Sequence, residues 1–228
     1  MARLDAAGIS DLHARVCKAL ADPTRLLIIT ELRDGPRSVG DLTDALGVSQ
    51  PNTSRHLAVL RDRGFVTARR FGSSIHYGLA SPKILQAIDL LREFMAEELG
   101  WRAPADLLPA GSQPGNGSQA VPSAEAAEIY ELYARVCKAI ADGKRLLIIN
   151  ELRDGPRTVS EVVTALGIPQ ANASQHLAVL RDRGILQARR SGSNVCYSLT
   201  SPKLIEAVDL LNEFMAERLG ESPASLAG

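Results

Sequence analysis

Apolar positions along the chain recur at helical spacing in blocks, and Asp-Pro, Gly-Pro and single glycine breaks separate the blocks. Leu12, Val16, Ala19 and Leu20 fall on one face of a helix expected over 11–21. Asp22-Pro23 then supplies an N-cap and a proline at the first helical position. The second helix runs through Leu32 and stops at Asp34-Gly35-Pro36. Ser38 and Asp41 have the spacing of a capping box and open a short third helix that ends at Gly47. After the tight turn Val48-Ser49, Ser49 caps a fourth helix through Leu57 and Leu60 to Arg63, ended by Gly64. The period then changes to that of a strand. Segments 65–69 and 75–79 read as two strands around Gly72-Ser73, a β-hairpin with a short tip. Ser81-Pro82 opens a final helix whose apolar positions (Ile84, Leu85, Ile88, Leu91, Phe94, Met95, Leu99) are more than one small domain can cover. The surplus predicts a helix that packs on a partner domain.

The whole pattern then repeats. Residues 12–100 return at 132–220 with a constant shift of 120 positions and no gap. RVCKALADPTRLLIITELRDGPR becomes RVCKAIADGKRLLIINELRDGPR, and HLAVLRDRG is unchanged. Roughly two-thirds of the aligned positions are identical, and a period this long is a duplicated domain rather than a solenoid. Thr158 and Glu161 form the fuller version of the capping box. The expected organisation is copy one over 1–100, a linker over 101–123, copy two over 124–220 and a tail over 221–228. The linker holds Pro104, Pro109, Pro114 and Pro122 with Gly111, Gly115 and Gly117. About 20 flexible residues reach near 25 Å r.m.s., so the tether allows the two copies to pair within one chain. Many small domains work as symmetric pairs.

At 228 residues the length prior allows one or two domains, and the repeat selects two. Hydrophobic residues make up 45% and aromatics only 4%, so aliphatic side chains must fill the cores. The apolar runs are too short to cross a bilayer, and MARLDAAGIS lacks the apolar core of a signal peptide; a cytoplasmic protein with no membrane partner is expected. The three cysteines, Cys17, Cys137 and Cys196, are too sparse for a secreted disulfide framework. Net charge is zero, from 26 basic and 26 acidic residues, but the charges are segregated. Between Ser49 and Tyr77, Arg55, Arg61, Arg63, Arg69 and Arg70 face Asp62 alone; copy two has Arg181, Arg183, Arg189 and Arg190 against Asp182. The balancing acids sit elsewhere, notably Asp89, Glu93, Glu97 and Glu98 in the last helix. A basic block that occurs twice is the footprint of a nucleic-acid partner.

Helix, helix, tight turn, helix, two-stranded wing is the order of a winged helix-turn-helix. The expected fold class is mainly α with small β-hairpin wings, as two tandem winged helix-turn-helix domains forming an intramolecular pseudo-dimer. Gln50, Asn52, Thr53 and Arg55 lie early in a helix whose Leu57 and Leu60 point inward. Their side chains can meet base edges, where glutamine and asparagine read adenine and arginine reads guanine. Ser49 and the helix N-terminus favour a phosphate, and Arg69 and Arg70 on the wing neutralise backbone charge. At these residues KALADPTRLLIITEL, VGDL and VSQPNTSRHLAVLRDRGFVTARRFGSSIHYGL resemble the ArsR/SmtB family of bacterial transcriptional repressors. The family's recognition-helix pattern is met by Ser49, Gln50, Ser54, His56, Leu57 and Leu60. Copy two matches with Gln170, Ser174, His176, Leu177 and Leu180, but has Pro169 in place of the serine. The resemblance implies that the fourth helix enters the major groove, that the wing reaches the backbone or minor groove, and that the first and last helices join two units. The expected contact set is Ser49, Gln50, Asn52, Thr53, Ser54, Arg55, His56, Arg69 and Arg70. In copy two it is Gln170, Asn172, Ser174, Gln175, His176, Arg189 and Arg190. The alternative for Gln50 and Asn52 is ordinary capping, and for His56 and His176 a packing role. Because Pro51, Thr53 and Arg55 become Ala171, Ala173 and Gln175, the expected partner is a double-stranded DNA operator with an imperfect inverted repeat, bound by a monomeric chain.

Many members of that family release DNA on binding a metal or metalloid. The ligand sets the resemblance would supply are missing: 37–42 carries no cysteine, the last helix no histidine, and Thr30 and Ala96 stand where a persulfide-sensing pair would be. Cys17 and Cys137 remain, at matched positions on a helix that the resemblance puts at the interface. As thiolates they could hold a soft metalloid or metal such as arsenite, or join in a disulfide. The other reading is a small buried apolar residue, and a regulator with no ligand of its own. A winged-helix protein-interaction module is the rival class, against which the wing arginines speak. No catalytic constellation or cofactor loop appears, so no enzyme is expected.

Overall fold

The computed structural model describes residues 6–98 and 124–219; the expected linker and tail lie outside them. Copy one runs α1 (Ala6–Leu20), α2 (Pro23–Glu31), β1 (Arg37–Ser38), α3 (Val39–Leu46), α4 (Gln50–Asp62), β2 (Val66–Phe71), β3 (Ser74–Leu79) and α5 (Lys83–Glu98). Copy two repeats this order as α6 (Ala124–Ile140), α7 (Gly143–Glu151), β4 (Arg157–Thr158), α8 (Val159–Leu166), α9 (Gln170–Asp182), β5 (Leu186–Ser191), β6 (Asn194–Leu199) and α10 (Lys203–Leu219).

The caps sit where residue chemistry puts them. The Asp22 carboxylate accepts from the Arg25 N–H at 3.1 Å, and Asp142 from the Arg145 N–H at 3.0 Å. Both capping boxes close: the Ser38 hydroxyl accepts from the Asp41 N–H at 3.2 Å while the Asp41 carboxylate accepts from the Ser38 N–H at 2.9 Å. Thr158 and Glu161 do the same at 3.3 and 2.6 Å. The wing differs from expectation by one strand. Arg37 and Ser38 pair with Tyr77 and His76, so each hairpin becomes a three-stranded sheet in the order β1-β3-β2 or β4-β6-β5. Two residues are too short to show a period, which is why the pattern did not disclose them. The hairpin register runs from Val66↔Leu79 to Phe71↔Ser74 around Gly72, whose φ of 59° suits a tight tip. The first helix also begins earlier than expected, at Ala6.

The copies do not stand apart in this structure. α5 and α10 pack side by side, α1 packs on α6 and on α7 of the other copy, and α6 packs on α2. One buried apolar cluster runs through both halves, from Leu26, Ile28 and Phe94 to Ile148, Leu180 and Phe214. Of the expected apolar face of the last helix, Ile84, Ile88, Leu91, Phe94 and Met95 are buried and Leu85 is half-buried, while Leu99 lies outside the described residues. The polar ties across the copies are reciprocal. Lys83 Nζ lies 2.6 Å from Glu213 and 2.7 Å from Glu217, and Lys203 Nζ lies 2.7 Å from Glu93 and 2.6 Å from Glu97. Each is the other shifted by the repeat, the mark of a two-fold relation. Within each copy, bidentate pairs from Arg33 to Asp89 (2.9 and 2.7 Å) and from Arg153 to Asp209 (2.8 and 2.7 Å) fasten the second helix to the last.

Candidate nucleic-acid interface

α4 is two-sided. Thr53, Leu57 and Leu60 form the buried stripe, at i, i+4 and i+7. Gln50, Pro51, Ser54, Arg55 and Arg61 are exposed on the other side, and Asn52 is half-buried. α9 repeats this with Ala173, Leu177 and Leu180 inside and Gln170, Ser174, Gln175 and Arg181 outside, Asn172 again half-buried. Ser49 occupies the N-cap position, but its hydroxyl makes no capping bond; its carbonyl accepts from the Asn52 and Thr53 N–H groups, both at 3.0 Å. The hydroxyl and the opening N–H of the helix are therefore available to an anion. Pro169 caps by carbonyl alone, accepting from the Ala173 N–H at 3.0 Å.

One expectation is corrected, and for the two histidines the stated alternative is favoured. Thr53 is fully buried, donating to the Ser49 carbonyl at 3.3 Å and accepting from the Thr43 hydroxyl at 3.3 Å, so it cannot present itself to a base. His56 turns back towards the N-cap of α2, with Nδ1 3.5 Å from Asp22, and burial lowers its pKa against the pull of Asp22. His176 stands in the same way 3.9 Å from Asp142, its pKa also lowered by burial. Both imidazoles are half-buried and lie beside the start of the second helix, which favours the packing alternative.

The wing arginines are exposed in both copies, but neighbours on a strand point to opposite faces. Arg69 lines a cavity of about 430 Å³ between the sheet and Leu32, Pro36 and Leu85. Arg70 instead donates from Nε to the Gly72 carbonyl at 3.1 Å, and Arg190 to the Gly192 carbonyl at 3.4 Å, at the tip. Beside them stand residues that the contact set omitted. Phe71 is 56% exposed, Ile75 49% and Val195 43%, the large apolar side chains left open among the described residues. Their place beside the Gly72-Ser73 turn was the available signal, since a hairpin tip has no core to face.

Cys17 and Cys137 are each 1% exposed and carry free thiols. Burial pushes the Cys137 thiol up to about 12 and Cys17 well above its ordinary range, and the nearness of Cys137 pushes Cys17 further. The thiolate is both nucleophile and metal ligand, so this environment works against either role and in favour of packing. Among the described residues no group of three or more His, Cys, Asp or Glu could hold a metal ion.

Exposed polar helices beside basic wings, twice over, define a winged helix-turn-helix DNA-binding protein. Residues 22–68 and 142–188 match the model of bacterial regulatory proteins of the arsR family. Over 87 residues the chain is 38% identical to the probable mercury resistance operon repressor of Streptomyces lividans, covering 38% of this chain and 70% of that one. It is 45% identical over 76 residues to the HTH-type transcriptional regulator NmtR of Mycobacterium tuberculosis, covering 33% of this chain and 63% of that one. A solved homodimeric winged helix-turn-helix DNA-binding domain from Mycobacterium bovis is 33% identical, covers 43% of this chain and 91% of that one, and has a TM-score of 0.41. The chain belongs to the ArsR family and is a DNA-binding transcriptional regulator. No helix among the described residues is long and apolar enough to cross a membrane.

Proposed function

We propose that the chain represses transcription in the cytoplasm as a single-chain pseudo-dimer, with α4 and α9 reading the two halves of an imperfect inverted repeat. On this reading 1–100 and 124–220 are the reading domains, 101–123 the tether and 221–228 a tail. The observation that carries it is the reciprocal tie of Lys83 to Glu213 and Glu217 and of Lys203 to Glu93 and Glu97, with both reading helices left exposed. A matched tether makes pairing intramolecular at an effective concentration around millimolar, so DNA binding lacks the threshold of a weak dimer. Gln50, Asn52, Ser54 and Arg55 read one half-site, and Gln170, Asn172, Ser174 and Gln175 the other. Ser49, Arg69, Arg70, Arg189 and Arg190 hold phosphates. The burial of Cys17 and Cys137 supports a regulator that needs no thiol-bound metal or metalloid.

The test is a gel shift on DNA upstream of the protein's own gene, with the complex sized by light scattering. One 24.4 kDa chain per operator is expected. A complex of two chains that each lend one copy would overturn intramolecular pairing, and failure to prefer any upstream sequence would overturn repression. Operators symmetrised to either half-site should bind with unequal affinity.

A further inference from the structure

The turn that ends the reading helix is built alike in the two copies. The Gly64 N–H donates to the Arg61 carbonyl at 2.8 Å and the Phe65 N–H to the Leu60 carbonyl at 2.8 Å. In copy two Gly184 donates to Arg181 at 2.9 Å and Ile185 to Leu180 at 3.0 Å. Both glycines take positive φ, 75° and 70°. What differs is the donor to the glycine carbonyl. In copy two the Thr200 hydroxyl, from the same copy, lies 2.8 Å from the Gly184 carbonyl and 3.1 Å from the Ile185 carbonyl, and donates its one proton to the nearer. The matched residue of copy one is Ala80, which has no hydroxyl. There the donor comes from the other copy: Arg218, in the last turn of α10, donates from Nη1 to the Gly64 carbonyl at 3.1 Å. The position matching Arg218 is Glu98, whose carboxylate cannot donate to a carbonyl.

Two further contacts belong to the same brace. Phe65 stacks on Phe214 of α10, with ring centroids 5.5 Å apart and an interplanar angle of 24°. The Arg218 guanidinium carbon lies 6.0 Å from the Phe214 centroid. In copy two Ile185 stands where copy one has the Phe65 ring. Gly64 is accordingly buried and Gly184 half-buried.

We propose that Arg218, set on Phe214, is a positioning residue that couples the reading head of copy one to the interface helix of copy two, whereas the head of copy two is satisfied from within. The inference rests on α4 and α9 being the reading helices. A disturbance of α10 then reaches α4 across the interface, and among the described residues no hydrogen bond from α5 to the Gly184 carbonyl matches it. The pairs Ala80 with Arg218, and Thr200 with Glu98, are alternative solutions for one carbonyl.

Hydrogen–deuterium exchange on the full chain tests this without DNA. Arg218→Ala should speed exchange of the amides at 64–66 about tenfold and leave those at 184–186 unchanged. Adding Ala80→Thr should restore the wild-type rate by giving copy one the solution that copy two uses, and Arg218→Lys should keep part of the protection. Equal acceleration in both copies, no acceleration at 64–66, or no rescue by Ala80→Thr overturns the coupling. Hydroxyl-radical footprinting then reads its consequence: Arg218→Ala should raise the midpoint of protection for the copy one half-site and not the other. A wild-type chain that binds no DNA yet shows the expected exchange pattern would sink the functional reading and leave the coupling intact.

Discussion

The two copies share most of their residues but not the way each is held. Where the repeat is kept, the interface is symmetric, as in the reciprocal lysine ties. Where it is lost, the two ends of the interface use different chemistry. On α6, Tyr130 and Tyr133 stack at 5.9 Å and are buried beside Thr30 and Arg92 of copy one. The matched positions on α1 are Ser10 and His13, and His13 Nδ1 donates to Asn212 Oδ1 of copy two at 2.6 Å. Arg92 and Asn212 are themselves matched positions. In a homodimer every substitution appears on both sides of the axis at once. On the proposed single-chain pairing each surface faces one fixed partner, so the two ends can change independently. The buried core of the reading domain shows the same freedom: Thr43 and Thr53, hydrogen-bonded in copy one, are Val163 and Ala173 in copy two. Replacing both partners of a buried polar pair leaves no orphan.

The largest effect should come from the interface rings. Phe94 and Phe214 are matched and buried, at 0% and 1% exposure. Truncation of either to alanine should cost about 3–5 kcal/mol in urea unfolding. Phe214→Ala should cost more, because only it also loses the Phe65 stack; equal losses would mean that the stack adds nothing. The reading heads come next. Arg55→Ala should weaken operator binding by about 1–3 kcal/mol and relax specificity at one position of one half-site. Gln175→Ala should act only on the other half-site, and a uniform loss across both would remove the assignment of one head to each half.

His13 separates the two ends of the interface by pH. Burial lowers its pKa to about 4, against the opposing pulls of Asn212 and Asp209. The folded state therefore binds fewer protons than the unfolded state between that value and the ordinary histidine value of about 6.5. The contribution is complete above pH 6.5 and is lost as pH falls towards 4, worth about 2 kcal/mol between pH 7 and 5. His13→Tyr, the copy two residue, should remove that part of the slope in urea unfolding at the two pH values. An unchanged slope would show that folding does not shift the titration of His13.

Operator binding is expected to change least at the cysteines, and stability least at the wing tip. Cys17→Ser with Cys137→Ser should lower stability by about 1–3 kcal/mol through buried hydroxyls, with operator affinity unchanged. The native wild type should give no arsenite adduct by intact mass, and an adduct that releases DNA would restore the thiol sensor. Phe71→Ser, again the copy two residue, should leave stability within about 0.5 kcal/mol because the ring is exposed. It should weaken protection of the copy one half-site a few-fold if the ring reaches the minor groove.

Much of the fold was legible because its signals are local. Asp22-Pro23, Ser38 with Asp41, and the glycines at 47, 64 and 72 each mark an element boundary within four residues of the groups they satisfy. The inward stripe of α4 followed from Leu57 and Leu60, and the surplus apolar face of α5 announced a partner helix. The contact set was legible only as far as polarity, not direction. Thr53 and His56 have the composition of contact residues, but one lies three positions from the start of the helix on its inward side, and the other is drawn to Asp22. Phe71 and Ile75 were missed for the converse reason, since apolar residues are assigned to a core unless the fold leaves them none.

The residues alone determined the duplication, the order of the helices and the hairpin, most of the caps and the family, because each depends on contacts close in sequence or on repetition itself. Tertiary structure alone decided which donor reaches the Gly64 carbonyl, which partner His13 meets and how deeply the two thiols lie. Those contacts join residues 154 and 199 positions apart for Arg218 and His13. No periodicity carries across such a separation; only the packing of one copy on the other brings the groups within reach.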